Sequence, residues 1–209
     1  FNVEIISLTG DCFMQKPFWK SKSKEKQKLY SQFIKVCKAC EKLKIELIII
    51  PLVDNGAIEN TRQEDEIIGF FNDNSQLLKE LKIKIAFESD FEAKKLYRFV
   101  SKFNSSDFGI NYDTGNSAAL GYDPILELNT YGDLILNVHI KDRILGGTTV
   151  PLSTGNTNFE SIFMKLNNIN YCGNYILQTA RTEDRKHTEL IKEYMQFTKE
   201  GITRKKNIF

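Results

Sequence analysis

The sequence predicts an α/β fold, parallel strands joined by helical crossovers and arranged as a (β/α)8 TIM barrel. Three observations point there. Strand-length apolar runs alternate with helical patterns from one end of the 209 residues to the other. The first run is followed by "SLTGDCF", with one glycine and no G-x-G-x-x-G, so an open doubly wound sheet lacks its phosphate turn. Polar residues collect at the C-terminal ends of the strands on one side-chain parity, as a barrel requires.

The apolar runs lie at 3–8, 46–53, 82–88, 108–113, 134–141 and 174–178. Helical spacing is clearest over 21–44, 63–81, 90–103, 158–167 and 184–199. A shorter helix is expected in "DPILEL", where Asp123 caps and Pro124 suits the first turn. No long linker, low-complexity repeat or compositional break interrupts the rhythm, so residues 1–209 read as a single domain. The chain opens on Phe1, not methionine, and is at once in a strand-like run, so an N-terminal portion is expected to precede it.

Parity then sorts the strand residues. In "LILNVHIK", Leu134, Leu136, Val138 and Ile140 face the helices, which turns Asn137, His139 and Lys141 inward. In "IKIAFE", Ile83, Ile85 and Phe87 pack outward and Glu88 points in. In "GINYD", Ile110 and Tyr112 pack outward while Asn111 and Asp113 point in, and in "NYILQ" Tyr175 and Leu177 leave Gln178 inward. Glu88, Asp113, His139 and Gln178 thus end four strands on the inner side. Charged and strongly polar groups are costly inside a barrel unless paired or bound to metal, so these four call for a common partner. Two carboxylates, an imidazole and an amide oxygen form a mostly hard donor set. It suits a divalent metal, Mn2+ or Mg2+ first, with Zn2+ or Co2+ as alternatives.

Composition narrows the function classes. With 41% hydrophobic residues, 27% charged residues and a formal net charge of +2, the chain reads as a globular protein. It is neither a dedicated nucleic-acid binder nor a membrane protein. The basic stretches "KSKSKEKQK" and "TRKKNIF" read as a solvated helix face and a frayed terminus. Four scattered cysteines do not form a disulfide framework, and the expected compartment is the reducing cytoplasm. Cys37 and Cys40 form a C-x-x-C, but they share helical spacing with Leu29, Phe33 and Leu43 and belong to the core.

The motifs "AFESD", "INYDTGNSAALGYDP", "NVHIKDR" and "GNTNFESIFMKLNNINYCGNYILQ" resemble the successive strand-end motifs of the sugar phosphate isomerase/epimerase family. These are the xylose-isomerase-like TIM barrels, and the resemblance runs over about residues 3–198. It implies a divalent metal at the C-terminal face of the barrel, held by Glu, Asp, His and usually a second Glu. Glu88, Asp113 and His139 fall on the first three positions. Gln178 stands where the family's epimerases typically place the second glutamate, and an amide cannot accept a proton at neutral pH. Matched to the family's order, the first visible strand is the barrel's third, so six parallel strands are expected, without the first two βα units.

The expected function is that of a divalent-metal-dependent isomerase or epimerase acting on a sugar or sugar phosphate. It would work by proton transfer next to a carbonyl through an enediolate, with Glu88 as the catalytic base. Because Gln178 replaces the second glutamate, a one-base isomerisation or a dehydratase/lyase elimination also fits, as does a non-catalytic or incomplete sugar-binding barrel. Lys141, Arg143 and Asn116 are expected to bind substrate oxygens. Asp142, on the opposite parity, is expected to be structural and paired with a neighbouring cation. The glycine- and threonine-rich "GGTTVPLSTGNTNF" is compatible with a phosphate cradle. An endonuclease-IV-like three-zinc cluster, a rival that shares the barrel, is disfavoured, because two histidines cannot supply it and His187 falls in a helix, "DRKHTELIKEY". The oligomeric state is left open.

Overall fold

The computed structural model describes residues 3–103, 106–181 and 186–203. Positions 184–185 of the last expected helix and residues 204–209 of the basic tail lie outside the described residues. The chain divides into two compact units, residues 1–91 with 95–110, and 92–94 with 111–209.

The first unit carries β1 (Ser7–Thr9), β2 (Leu47–Leu52), β3 (Lys84–Ser89) and the start of β4 (Phe108–Asp113). They are parallel neighbours, with Thr9 opposite Ile49, Glu88 opposite Pro51 and Phe87 opposite Ile110. Every residue of β2, "LIIIPL", is buried, as expected of a parallel strand covered on both faces. The expected strand 3–8 shrinks to Ser7–Thr9, because β2 begins only at Leu47, opposite Ser7. Val3, Ile5 and Ile6 are exposed.

The helices here are α1 (Asp11–Gln15), α2 (Ser23–Leu43), α3 (Thr61–Asp73), α4 (Ser75–Glu80) and α5 (Ala93–Val100). On α2, Leu29, Phe33, Cys37 and Cys40 form the buried stripe, so the C-x-x-C is core as its spacing implies. The single helix expected over 63–81 is broken at Asn74. Its Nδ2 donates to the Phe70 carbonyl at 2.7 Å, competing with the backbone for a helical acceptor and ending α3. Phe71, Phe87, Phe99, Phe103 and Phe108 form one aromatic core, with Phe87 and Phe103 ring centres 4.9 Å apart and those of Phe103 and Phe108 4.8 Å apart.

The second unit holds the end of β4, β5 (Ile135–Ile140) and β8 (Asn174–Leu177), with α6 (Thr114–Leu120), α7 (Pro124–Tyr131), α8 (Phe159–Asn168) and α9 (His187–Thr203). β5 and β8 are parallel, with His139 opposite Ile176. Between them an antiparallel ribbon of β6 (Asp142–Arg143) and β7 (Thr149–Val150) leaves the strand end. As expected, Asp123 caps α7, accepting from Ile125 N at 2.9 Å, with Pro124 in the first turn. Phe159, Phe163 and Phe197 pack α8 against α9, Phe159 and Phe197 with ring centres 5.1 Å apart.

The six principal strands follow one another in the sheet in the order β1-β2-β3-β4-β5-β8, which is also their order in the chain. This is the topology of a partial (β/α)8 barrel, and no described helix is long and apolar enough to cross a membrane.

Candidate metal centre and active site

The turn from β4 into α6 carries four consecutive residues with four separate tasks. Asp113, the last residue of β4, caps α6: its Oδ1 accepts from Asn116 N at 2.8 Å, which leaves Oδ2 for other partners. Thr114 clamps the backbone of Lys141, donating from Oγ1 to its carbonyl at 2.7 Å and accepting from its N–H at 3.0 Å. Gly115 lets the Lys141 stem pass, since a Cβ there would stand 2.7 Å from Lys141 Cγ. Asn116 Oδ1 accepts from Arg143 Nη1 at 2.9 Å. The D-T-G-N run therefore organises the end of β5 as well as its own helix.

At the end of β5, His139 is 2% exposed and its Nδ1 lies 3.8 Å from Asp113 Oδ2. Asn111 Nδ2 stands 3.1 Å from the same Nδ1, and Asn111 Oδ1 accepts from Asn137 Nδ2 at 2.6 Å. Parity turns both asparagines inward, but the sequence reading gives neither a role. Lys141 lies at the strand's exit. Its Nζ donates to Asp113 Oδ2 at 3.3 Å and to Gln178 Oε1 at 3.0 Å.

Glu88 ends β3 as a buried carboxylate. Within the second unit, Asp113 and His139 bring a buried carboxylate and an imidazole together at the ends of neighbouring strands. A buried carboxylate and an imidazole form a mixed O/N donor pair. That chemistry fits a divalent cation.

The remaining expected site residues are placed as follows. Gln178, just past β8, is half-buried and holds Lys141. Arg143 is tied to its own ribbon, donating from Nε and Nη2 to the Gly147 carbonyl at 3.1 and 2.7 Å, while Nη1 meets Asn116. Asp142 is structural, but its partner is not a cation. The carboxylate is fully buried and accepts from the N–H groups of Gly155 at 2.8 Å and Thr157 at 3.0 Å. Backbone amides reach this interior position without bringing a second charge to desolvate. The glycine- and threonine-rich stretch thus wraps the Asp142 carboxylate.

On the opposite face of β4, Glu127 is buried and accepts from Tyr131 Oη at 2.8 Å, Tyr112 Oη at 3.3 Å and Ser117 Oγ. Burial pushes its carboxyl up from 4.5, against the pull of those hydrogen bonds. No sequence signal singled it out, because one glutamate in an apolar helix has no periodicity of its own.

The xylose isomerase-like TIM barrel family matches residues 1–201. No protein of curated function matches the sequence. Among solved structures, the IolI protein with a bound zinc atom superposes with a TM-score of 0.77 at 16% identity, over 98% of this chain and 78% of its own. A D-tagatose 3-epimerase-like protein gives 0.72 at 20% identity, over 97% and 81%. The 3-keto-D-glucoside 4-epimerase YcjR of E. coli gives 0.73 at 14%, over 94% and 80%. At such identities these likenesses speak for the fold. With a family match across nearly its whole length and the parallel strand order that goes with it, the chain belongs to the xylose isomerase-like TIM barrels.

Proposed function

We propose that this protein is a divalent-metal-dependent isomerase or epimerase of a sugar or sugar phosphate, moving a proton next to a carbonyl group. The observation that carries the reading is the buried pair Asp113 and His139 at the ends of neighbouring strands, with Asp113 Oδ2 3.8 Å from His139 Nδ1. Sugar epimerases and a zinc-bearing protein among the structural neighbours support the same chemistry.

Glu88, Asp113 and His139 would hold the ion, with Gln178 Oε1 as the fourth donor and Mn2+, Mg2+, Zn2+ or Co2+ as candidates. When bound, a divalent ion supplies the positive charge that polarises a carbonyl and stabilises the enediolate oxygen. Glu88 is the base: its carboxylate takes the proton from the hydroxyl-bearing carbon beside the carbonyl and returns it to the carbonyl carbon, while the hydroxyl proton passes to the former carbonyl oxygen. Gln178 cannot take or return a proton, so a single carboxylate serves both steps. The Lys141 ammonium donates hydrogen bonds to a substrate hydroxyl, carboxylate or phosphate oxygen, and Arg143 with Asn116 forms the rim beside it. The exposed free thiols of Cys12 and Cys172 suit a reducing cytoplasm.

The test is deuterium incorporation from D2O into ketoses, ketose phosphates and sugar acids by the metal-loaded protein. Exchange that disappears in Glu88→Gln is expected. Exchange that persists in that variant removes Glu88 as the base, and no exchange with any candidate replaces the enzyme by a sugar-binding barrel.

A further inference from the structure

The chain stays extended for one residue beyond the end of β5. The Ile140 carbonyl accepts from Gln178 N at 3.0 Å on the β8 side, and the backbone groups of the next residue, Lys141, turn to the other side, where β4 has already ended at Asp113 and given way to α6. The Thr114 side chain takes the place of the missing rung. Its Oγ1 accepts from Lys141 N at 3.0 Å and donates to the Lys141 carbonyl at 2.7 Å. A hydroxyl carries one proton and two lone pairs, so it can serve both groups at once. Thr157 Oγ1 adds a second donor to the same carbonyl at 3.2 Å.

Holding Lys141 extended decides where its side chain goes. Side chains alternate across a strand, so this one leaves on the face that carries His139. Gly115 opens the path, because a Cβ there would stand 2.7 Å from Lys141 Cγ and 3.0 Å from its Cβ. The stem crosses this bare backbone and brings Nζ to Gln178 Oε1 at 3.0 Å and Asp113 Oδ2 at 3.3 Å. A four-carbon stem left to itself samples many rotamers. Here its root is tied at both backbone groups and its course is confined over a glycine.

We infer that Thr114 is a positioning residue that acts through Lys141: standing in for a strand neighbour, its hydroxyl keeps the lysine extended and thereby keeps the ammonium between Asp113 and Gln178. Resting on the function proposed above, this gives a substrate's hydroxyl, carboxylate or phosphate oxygen a fixed cation to meet rather than a mobile one. The hydroxyl is the operative group. Thr114 is 1% exposed, and valine fills its place with the same shape but leaves Lys141 N–H without this acceptor, whereas serine restores it.

The first readout needs neither metal nor substrate. Carbon–proton NMR of the lysine-labelled, chelator-treated protein, assigned through Lys141→Met, shows whether the Hε protons of Lys141 are distinct, as on an ammonium held in one place, or merged, as on a mobile one. Distinct signals are expected in the wild type and in Thr114→Ser, and merged signals in Thr114→Val. The second readout is Mn2+ affinity by titration calorimetry. Thr114→Val is expected to bind the ion at least about threefold more tightly than wild type, because a released ammonium no longer opposes it, and to change nothing further once Lys141 is replaced by methionine. Merged signals in the wild type overturn the inference before any variant is made, and distinct signals in Thr114→Val overturn it as well. So does the same change of affinity with and without Lys141, which is what a general loosening of the turn into α6 would give. Absence of Mn2+ binding in every variant would remove the metal reading and leave the lysine result standing.

Discussion

The Lys141 ammonium donates to Gln178 Oε1 at 3.0 Å and to Asp113 Oδ2 at 3.3 Å, so one cation bridges a carboxamide and a carboxylate that both belong to the candidate metal centre. The carboxylate is nearly fully buried, whereas the lysine side chain keeps 15% of its exposure. Lys141 therefore relieves part of the negative charge of the centre, and for the same reason it opposes a second cation there.

Replacing the ammonium by an apolar chain separates these two effects. A unit charge about 4 Å from another is worth about 4 kcal/mol at an effective dielectric constant near 20, and partial exposure of the lysine reduces that figure. Lys141→Met is expected to bind Mn2+ or Zn2+ at least about tenfold more tightly by titration calorimetry. The metal-free variant should also melt earlier than wild type, because Asp113 loses its cation. Equal or weaker metal affinity in Lys141→Met would show that the ammonium does not act on the centre.

Asp113 has two jobs on its two oxygens, one capping α6 and one facing His139 and Lys141. Asparagine keeps a capping oxygen and loses the charge, whereas alanine loses both. Both variants are expected to lose stoichiometric metal binding. Measured without metal, Asp113→Ala should be about 1 kcal/mol less stable than Asp113→Asn in urea unfolding, the usual difference for a lost N-cap. Equal stability of the two would mean that the Asn116 N–H finds another acceptor.

Glu127 predicts a pH dependence of folding. Burial, the largest influence, raises its carboxyl above 4.5 in the folded protein. A group whose folded pKa is raised contributes stability that is fully present below the unfolded pKa and is lost as pH rises through the folded pKa. Glu127→Gln stays uncharged throughout, so its stability relative to wild type should climb as pH rises above about 4.5 and level off once the wild-type carboxyl has ionised. Chemical unfolding of both proteins between acidic and neutral pH checks this. A difference that does not change with pH would mean that the carboxyl titrates normally.

Strand parity made the inward row of β4 and β5 legible, because "GINYD" and "LILNVHIK" alternate cleanly and both strands are buried on either face. The same rule gave Asn111 and Asn137 a direction but no task, since their hydrogen bonds join different strands and leave no trace in spacing. α6 escaped notice because "TGNSAAL" offers small residues and no apolar stripe. The division at Asn74 depends on one side chain bonding the carbonyl four residues back, a local competition that periodicity smooths over. Asp142 was recognised as structural, but its partners are backbone amides of a loop whose path only the folded chain reveals.

On the proposed mechanism, Gln178 sets how many groups can move a proton. On the proposed reading, the carboxylates of Glu88 and Asp113, the Lys141 ammonium and a divalent ion would together leave the centre with a net positive charge. Such a site favours an anionic enediolate or a substrate that already carries a carboxylate or phosphate. A glutamate at 178 would neutralise that excess and set a second proton-transfer group next to Lys141 Nζ, which already lies 3.0 Å from the side chain there. Gln178→Glu is accordingly expected to retain metal binding and to pair with Lys141. It should also convert transfer by one base into transfer between two, seen as inversion at the carbon from which Glu88 takes its proton. Positioned acid–base groups contribute about 10²–10⁴-fold, so epimer formation should rise from background by at least about 10²-fold on uncharged ketoses. Anionic substrates should gain less, because the site has lost its surplus positive charge. Product analysis by NMR in D2O, with wild type and Gln178→Glu side by side, distinguishes the outcomes. If the variant binds metal and exchanges deuterium but forms no epimer, residue 178 does not reach the second face of the substrate, and Gln178 serves only to hold Lys141.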